Sequence, residues 1–386
     1  MKKYIFLIAT IICGILVSGL WYISPILKPF PIPTGPYAVG TMRMELHDVS
    51  RKEIYSDNPD EMRKVVVNFF YPARELLQEK QNYLSDKIDE FVFLVAHHYA
   101  MPQWLVKRMF TIKTNACINA PLAEDTMQYP IVLFSHGLLG MPSDMYVSLL
   151  ENLASNGYVV VAIDHPYFNF LTRYNDGTIA RSAGLQVQFQ QMSVDEQKKF
   201  QSKAIDIYKA DMQFVLDQLM QLNEDQSAIF YHRLDLNAIG DMGHSAGGTV
   251  AIELCRIDHR IKACIDLDGW YDHVIGNTPI KQPLLLMFGS KTVEVTEPTA
   301  EYLKRKQLSR DEYYAREEKI AEYRRALCNG LDCEMITIAG AKHGDFSDEV
   351  FLKWPLREWS APDAYWVIQT INNHCLQFFK KYLKQI

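Results

Sequence analysis

From residue 131 onward the chain alternates between two patterns. Short, continuous apolar runs occupy 131–135, 158–163, 261–267, 284–289 and 334–339, and another opens the stretch 238–250. Between them lie longer segments, at about 143–156, 195–222 and 364–383, in which apolar residues recur every three or four positions. A run without alternation predicts a strand buried on both faces, and the longer spacing predicts an amphipathic helix. Together they predict the α/β class, a mostly parallel central sheet with helices on both faces. Along the helix at 195–222, Ala204, Ile207, Tyr208, Asp211, Val215 and Leu219 fall near one face.

Upstream the pattern is looser. VVVNFFY at 65–71, closed by Pro72, predicts an early strand, and 78–114 reads as mostly helical. The second segment carries Phe91, Phe93, Leu94, Trp104, Leu105 and Phe110. It reads as an amphipathic helix packed on the sheet, with a cover for a site or a lipid-surface contact as the other reading. His97 and His98 read as packing or surface residues. Residues 291–330 separate the last two strands by far more than an ordinary connection. Their dense charge predicts a helical insertion with solvated faces, a regulatory or partner-docking insertion being the alternative.

The N-terminus changes the setting. Lys2 and Lys3 precede residues 4–23, which carry no charge. That length suits a membrane anchor, with Trp21 and Tyr22 at its outer end, while Val17-Ser18-Gly19 suits a cleaved signal peptide. In both readings the body is exported, either tethered on the periplasmic or extracellular side or secreted. Residues 24–36 are a proline-rich spacer, so 1–27 is the leader and 28–386 one folded domain. A chain of 386 residues, 48% of them hydrophobic, buries a large core. A net charge of −6 excludes the basic footprint of a nucleic-acid binder. Of seven cysteines, Cys328 and Cys333 flank a turn and are candidates for a disulfide. Cys255 and Cys264, in apolar surroundings, read as small core residues. No Cys/His cluster has zinc-ligand spacing, and no metal or cofactor is expected.

Candidate chemistry gathers at strand ends. Gly243-His244-Ser245-Ala246-Gly247 between a strand and a helix is a nucleophile-elbow pattern. Side chains at the positions two before and two after the serine would collide with backbone in so sharp a turn. A serine nucleophile needs a base, an acid that orients the base, and N–H groups facing the oxyanion. Asp268, at the exit of the strand 261–267, is the expected acid, with Asp266 one layer deeper. His343, just past the last strand, is the expected base, ahead of His259, His273 and His374. The N–H groups of Ala246, at the helix start, and of Leu138, in His136-Gly137-Leu138, are the expected oxyanion donors.

With PTGPYAVG at 33–40, FSHGLLG at 134–140, GHSAGG at 243–248, IDLDGW at 265–270, LLLMFGS at 284–290 and AGAKHGDFSD at 339–348, the chain resembles the platelet-activating factor acetylhydrolase family, of the plasma and intracellular type II kind. The resemblance covers most of the chain from Thr34 and implies an α/β-hydrolase fold. It implies Ser245, Asp268 and His343 as the triad, and Leu138 and Ala246 as oxyanion donors. The implied reaction is calcium-independent hydrolysis of short or oxidised sn-2 acyl chains of phospholipids. Membrane contact is expected through the N-terminal segment and 78–114. Alanine at 246 replaces the bulky aromatic of the animal members, and the short export segment suggests a bacterial one. The alternatives are a general short-chain carboxylesterase and a catalytically silent binding module.

Overall fold

The computed structural model describes residues 28–74, 79–98, 102–124, 128–271, 280–329, 332–351 and 360–384, with scattered positions between Thr10 and Gly19. The leader expected at 1–27 thus lies almost wholly outside the described residues. Among those described, no helix is long and apolar enough to cross a membrane.

β1 (Ala38–Lys52) and β2 (Met62–Ala73) form an antiparallel pair. They are followed by β3 (Lys80–Asn82), α1 (Ile88–His98), α2 (Gln103–Phe110) and β4 (Lys113–Ile118). The regular part comprises β5 (Tyr129–Ser135), α3 (Val147–Ser155), β6 (Val159–Asp164), a hairpin of β7 (Leu171–Arg173) and β8 (Ile179–Arg181), α4 (Ala183–Gln191) and α5 (Val194–Glu224). It continues with β9 (Leu234–His244), α6 (Ala246–Ile257), β10 (Ile261–Leu267) and β11 (Leu284–Gly289). α7 (Ser290–Val293), α8 (Ala300–Lys306) and α9 (Arg310–Leu327) precede β12 (Cys333–Ile338) and α10 (Ala364–Leu383).

One sheet takes ten of these strands in the order β12-β11-β10-β9-β5-β6-β2-β1-β4-β3. The six from β12 to β6 run parallel, and β2 joins β6 antiparallel. Side-chain alternation feeds two cores. From β5, Val132 and Phe134 meet Leu149 and Leu153 of α3 and Ile371 and Phe379 of α10. Ile131 and Leu133 point the other way, to Met212 and Leu216 of α5 and Val250 and Leu254 of α6. The long helix α5 starts at a capping box, in which the Ser193 hydroxyl accepts from Glu196 N–H.

The structure adds detail to one sequence expectation and departs from two. Residues 78–114 are mostly helix among those described, as expected, but β3 and the start of β4 flank the α1–α2 pair, and β4 pairs with β1 at Gly40 and Thr41. β1 itself is unanticipated, because its polar residues interrupt the apolar pattern. Cys255 and Cys264, read as unpaired core residues, form a disulfide. The turn after α6 folds β10 back beside it, so the two Cα atoms lie 6.5 Å apart, within bridging range. Cys328 and Cys333 are also bridged. The charged insertion is helical, and of α9 only Tyr313 and Leu327 are buried.

Candidate active site

Ser245 stands between β9 and α6 with φ 58° and ψ −120°, a left-handed backbone that costs a non-glycine residue about 1–3 kcal/mol. Its surroundings impose the turn. Ser245 N–H donates to Leu267 C=O of β10 at 2.9 Å, and Thr249 N–H closes the first helical turn on Ser245 C=O at 3.1 Å. A methyl group on Gly243 would fall inside the Gly247 backbone, and one on Gly247 inside that of Ser135. The two glycines therefore let three chain segments meet beneath the serine.

Asp268 follows β10 with φ 57°, and its N–H donates to Met287 C=O at 2.7 Å. The carboxylate is held on both oxygens: Oδ1 accepts from Gly289 N–H at 2.9 Å, and Oδ2 from the Thr292 hydroxyl at 2.8 Å. Oδ2 also meets His343 Nδ1 at 2.6 Å. A carboxylate only accepts, so Nδ1 carries the proton and Nε2 is the free basic atom. The acid is fully buried, whereas the imidazole is 47% exposed at the mouth of the site. His343 is braced from below. His244 Nδ1 accepts from the Tyr146 hydroxyl at 2.8 Å, so its Nε2–H donates to His343 C=O at 3.0 Å. Burial, then the neighbouring His343, holds the His244 imidazole well below its ordinary range and therefore neutral.

The loop after β5 runs against the serine. A Cβ on Gly137 would lie 3.3 Å from Ser245 Cβ and 3.7 Å from Oγ. Three of the loop's carbonyls are held by hydrogen bonds. Gly137 C=O accepts from His136 Nδ1 at 2.7 Å, Leu139 C=O from Gln186 Nε2 at 2.6 Å, and Gly140 C=O from Phe170 N–H at 2.8 Å. Gly137 thus lies beside the serine, one residue before Leu138, and Ala246 opens α6.

Asp266, the deeper carboxyl, has other bonds: it accepts from Gly269 N–H at 2.8 Å and from the Tyr271 hydroxyl. Burial pushes it up to about 7 against those bonds. The competing histidines are elsewhere. His374 pairs with Glu334 at 3.7 Å, His259 is on the surface, and His273 lies outside the described residues. Among the described residues, no group of three or more His, Cys, Asp or Glu is arranged to hold a metal. Sequence reasoning missed the supports: Tyr146, His244, Gln186, and the buried set His136, His165, Tyr208 and Asp211. One signal was present, an aspartate on the apolar face of α5.

The family model for "Platelet-activating factor acetylhydrolase, isoform II" matches residues 27–385. A probable 1-alkyl-2-acetylglycerophosphocholine esterase of Arthroderma benhamiae is 28% identical over 72% of this chain and 69% of its own. Canine platelet-activating factor acetylhydrolase is 23% identical over 83% of this chain and 68% of its own. Among solved structures, a ferulic acid esterase from Streptomyces cinnamoneus superposes with a TM-score of 0.64 at 21% identity, over 92% of this chain and 93% of that one. That likeness places the sheet and its helices in the α/β-hydrolase fold. With the family model spanning nearly the whole chain, this protein belongs to the platelet-activating factor acetylhydrolase isoform II family.

Proposed function

We propose that this chain is an exported carboxylic ester hydrolase that removes short or oxidised sn-2 acyl groups from phospholipids. The observation that carries the mechanism is the 2.6 Å bond between His343 Nδ1 and Asp268, at the same sheet edge as the strained Ser245. His343 Nε2 takes the Ser245 proton as Oγ attacks the ester carbonyl. The N–H groups of Leu138 and Ala246 receive the oxyanion. Collapse breaks the bond to the sn-2 oxygen, which leaves with the proton from His343, and an acyl-Ser245 remains. Water, deprotonated by His343, then releases the carboxylic acid and restores the serine.

Two observations support a lipid surface and an exported setting. Phe93 on α1 and Trp104 on α2 are 56% and 66% exposed, an apolar pair suited to insertion between headgroups. Two disulfides suit an oxidising compartment, to which residues 4–23 would direct the body as an anchor or a cleaved peptide. Turnover of a 2-acetyl phospholipid should be measured beside a p-nitrophenyl ester series, with Ser245→Ala as control. Hydrolysis confined to the soluble esters would replace the lipid reading with a general carboxylesterase. Failure of Ser245 to react with a fluorophosphonate would leave a silent binding module.

A further inference from the structure

A second Ser–His–Asp arrangement lies behind the first, with all three side chains buried. Ser135 Oγ is 3.0 Å from His165 Nε2, and His165 Nδ1 is 2.9 Å from Asp211 Oδ2. Asp211 belongs to α5, His165 follows β6, and Ser135 ends β5, directly before the loop that passes Ser245. Asp211 is also gripped by Arg63, whose Nε and Nη2 reach its two oxygens at 3.1 and 2.6 Å, and by Arg51 at 2.9 Å. Burial alone would raise this carboxyl, but Arg63 and His165 hold it well below the usual range and ionised. No substrate reaches this serine.

The proton positions follow one another. An ionised Asp211 accepts, so His165 Nδ1 is the donor and Nε2 receives the Ser135 hydroxyl proton. His165 backbone N–H points at His136 Nε2 at 3.0 Å, so that nitrogen holds a lone pair. His136 is kept neutral, burial and the neighbouring His165 lowering it to about 3. Its one proton is therefore on Nδ1, which donates to Gly137 C=O at 2.7 Å. The Tyr208 hydroxyl approaches the same carbonyl at 3.4 Å. In a trans peptide the C=O and the following N–H point in opposite directions. Pinning Gly137 C=O inward thus turns Leu138 N–H outward, toward the space beside Ser245.

We propose that His136 is a positioning residue for the oxyanion donor, that the His165 backbone N–H sets its tautomer, and that the Ser135–His165–Asp211 chain holds His165 in place. This rests on the reading of Ser245 as nucleophile and Leu138 N–H as oxyanion donor. The full chain is tested as His136→Asn, His136→Gln and His136→Ala, with secondary structure and thermal midpoint checked for each. Asparagine places its amide where Nδ1 stands, whereas glutamine reaches only the place of Nε2. Since loss of one oxyanion donor costs about 10²–10³ in rate, a misaligned one is expected to lower kcat about 10–100-fold in the Gln and Ala variants. KM should stay within about threefold, and His136→Asn should recover most of the loss. Affinity for a trifluoromethyl ketone, which presents an oxyanion, should fall in step with kcat/KM.

Equal activity in the three variants, or an unchanged ketone affinity, overturns the proposal. If the variants do not fold, the wild-type protein with ¹⁵N-labelled histidine decides it. His136, assigned through coupling across the His165 N–H···Nε2 bond, must carry its proton on Nδ1, and a proton on Nε2 overturns it. Fluorophosphonate labelling of wild-type Ser245 keeps the two readings separable. Without labelling the hydrolase reading fails and the brace falls with it; with labelling, a full-rate His136→Ala removes the brace alone.

Discussion

The pairs His343–Asp268 and His165–Asp211 are chemically alike, each an imidazole Nδ1 bonded to an aspartate, at 2.6 and 2.9 Å. Each has a serine at the end of a neighbouring parallel strand. Their surroundings differ in three respects. Ser245 has a left-handed backbone that lifts it off the sheet, whereas Ser135 continues regular β5. His343 is half exposed, whereas His165 is sealed and stacked on Tyr208 with ring centroids 3.7 Å apart. Asp268 is held by neutral donors, the Gly289 N–H and the Thr292 hydroxyl, whereas Asp211 is held by two arginines. The three residue types are common to both sites; strain at Ser245 and the exposure of His343 are what set the proposed nucleophile apart. An ion cluster around the acid makes a support.

The widest separation is expected at the serines themselves. Ser245→Ala should lower kcat by about 10⁶-fold. In that variant a fluorophosphonate should label nothing at Ser135, and a Ser135 adduct in peptide mass spectrometry would break the comparison. The aspartates should separate next. Asp268→Asn should lose about 10⁴ in kcat with little change in thermal midpoint, since the asparagine favours the wrong imidazole tautomer. Asp211→Asn should instead cost about 3–5 kcal/mol of stability, because Arg63 keeps its charge in a buried site. Denaturant unfolding beside steady-state kinetics checks both, and equal stability losses would contradict the division.

Acid should sharpen the contrast further. His136 titrates near 6.5 when unfolded and at about 3 when folded. Between these limits the unfolded chain binds a proton that the folded chain refuses. Its contribution therefore favours folding above that window and falls away as pH drops from 6.5 toward 3. Asp266, pushed up to about 7, acts with opposite sign: its penalty on folding grows as pH rises from about 4 to 7. Thermal midpoints of wild type should thus drop more steeply below pH 6.5 than those of His136→Asn, and parallel curves would refute the buried, neutral ring. The smallest effect belongs to Ser135→Ala. It removes one bond to His165 and is expected to cost about 1 kcal/mol by denaturant unfolding.

The parallel strands and the elbow were legible in the sequence because each is written in neighbouring residues. Runs at 261–267 and 284–289 match β10 and β11, and Gly243 and Gly247 show the close approaches that the turn demands. Asp268 and His343 were placed by chain order and strand ends, and the structure brings the two into contact. What was not legible depends on register between distant segments. Ser135, His165 and Asp211 share no motif and meet only because β5, β6 and α5 pack side by side. Asp211 on an apolar helix face hinted at a buried partner, but the partner arginines come from β1 and β2, more than a hundred positions earlier in the chain. The Cys255–Cys264 bridge was hidden likewise, since spacing alone does not show that α6 folds back along β10.

Helix α9 leans on the acid's side of the site. The Tyr323 hydroxyl accepts from Arg256 at 2.9 Å, and the Arg324 guanidinium covers Phe288 at 4.5 Å and Tyr271 at 5.9 Å. Tyr271 in turn bonds Asp266, whose carboxyl ties the Gly269 turn. With only two buried residues, α9 has a thin grip on the body. In hydrogen-exchange terms its amides are expected to open through small local fluctuations rather than global unfolding. Each such opening withdraws Tyr323 and Arg324 from Tyr271. The α9 amides are therefore expected to exchange faster than those of β9, β10 and β11, which carry the elbow and Asp268.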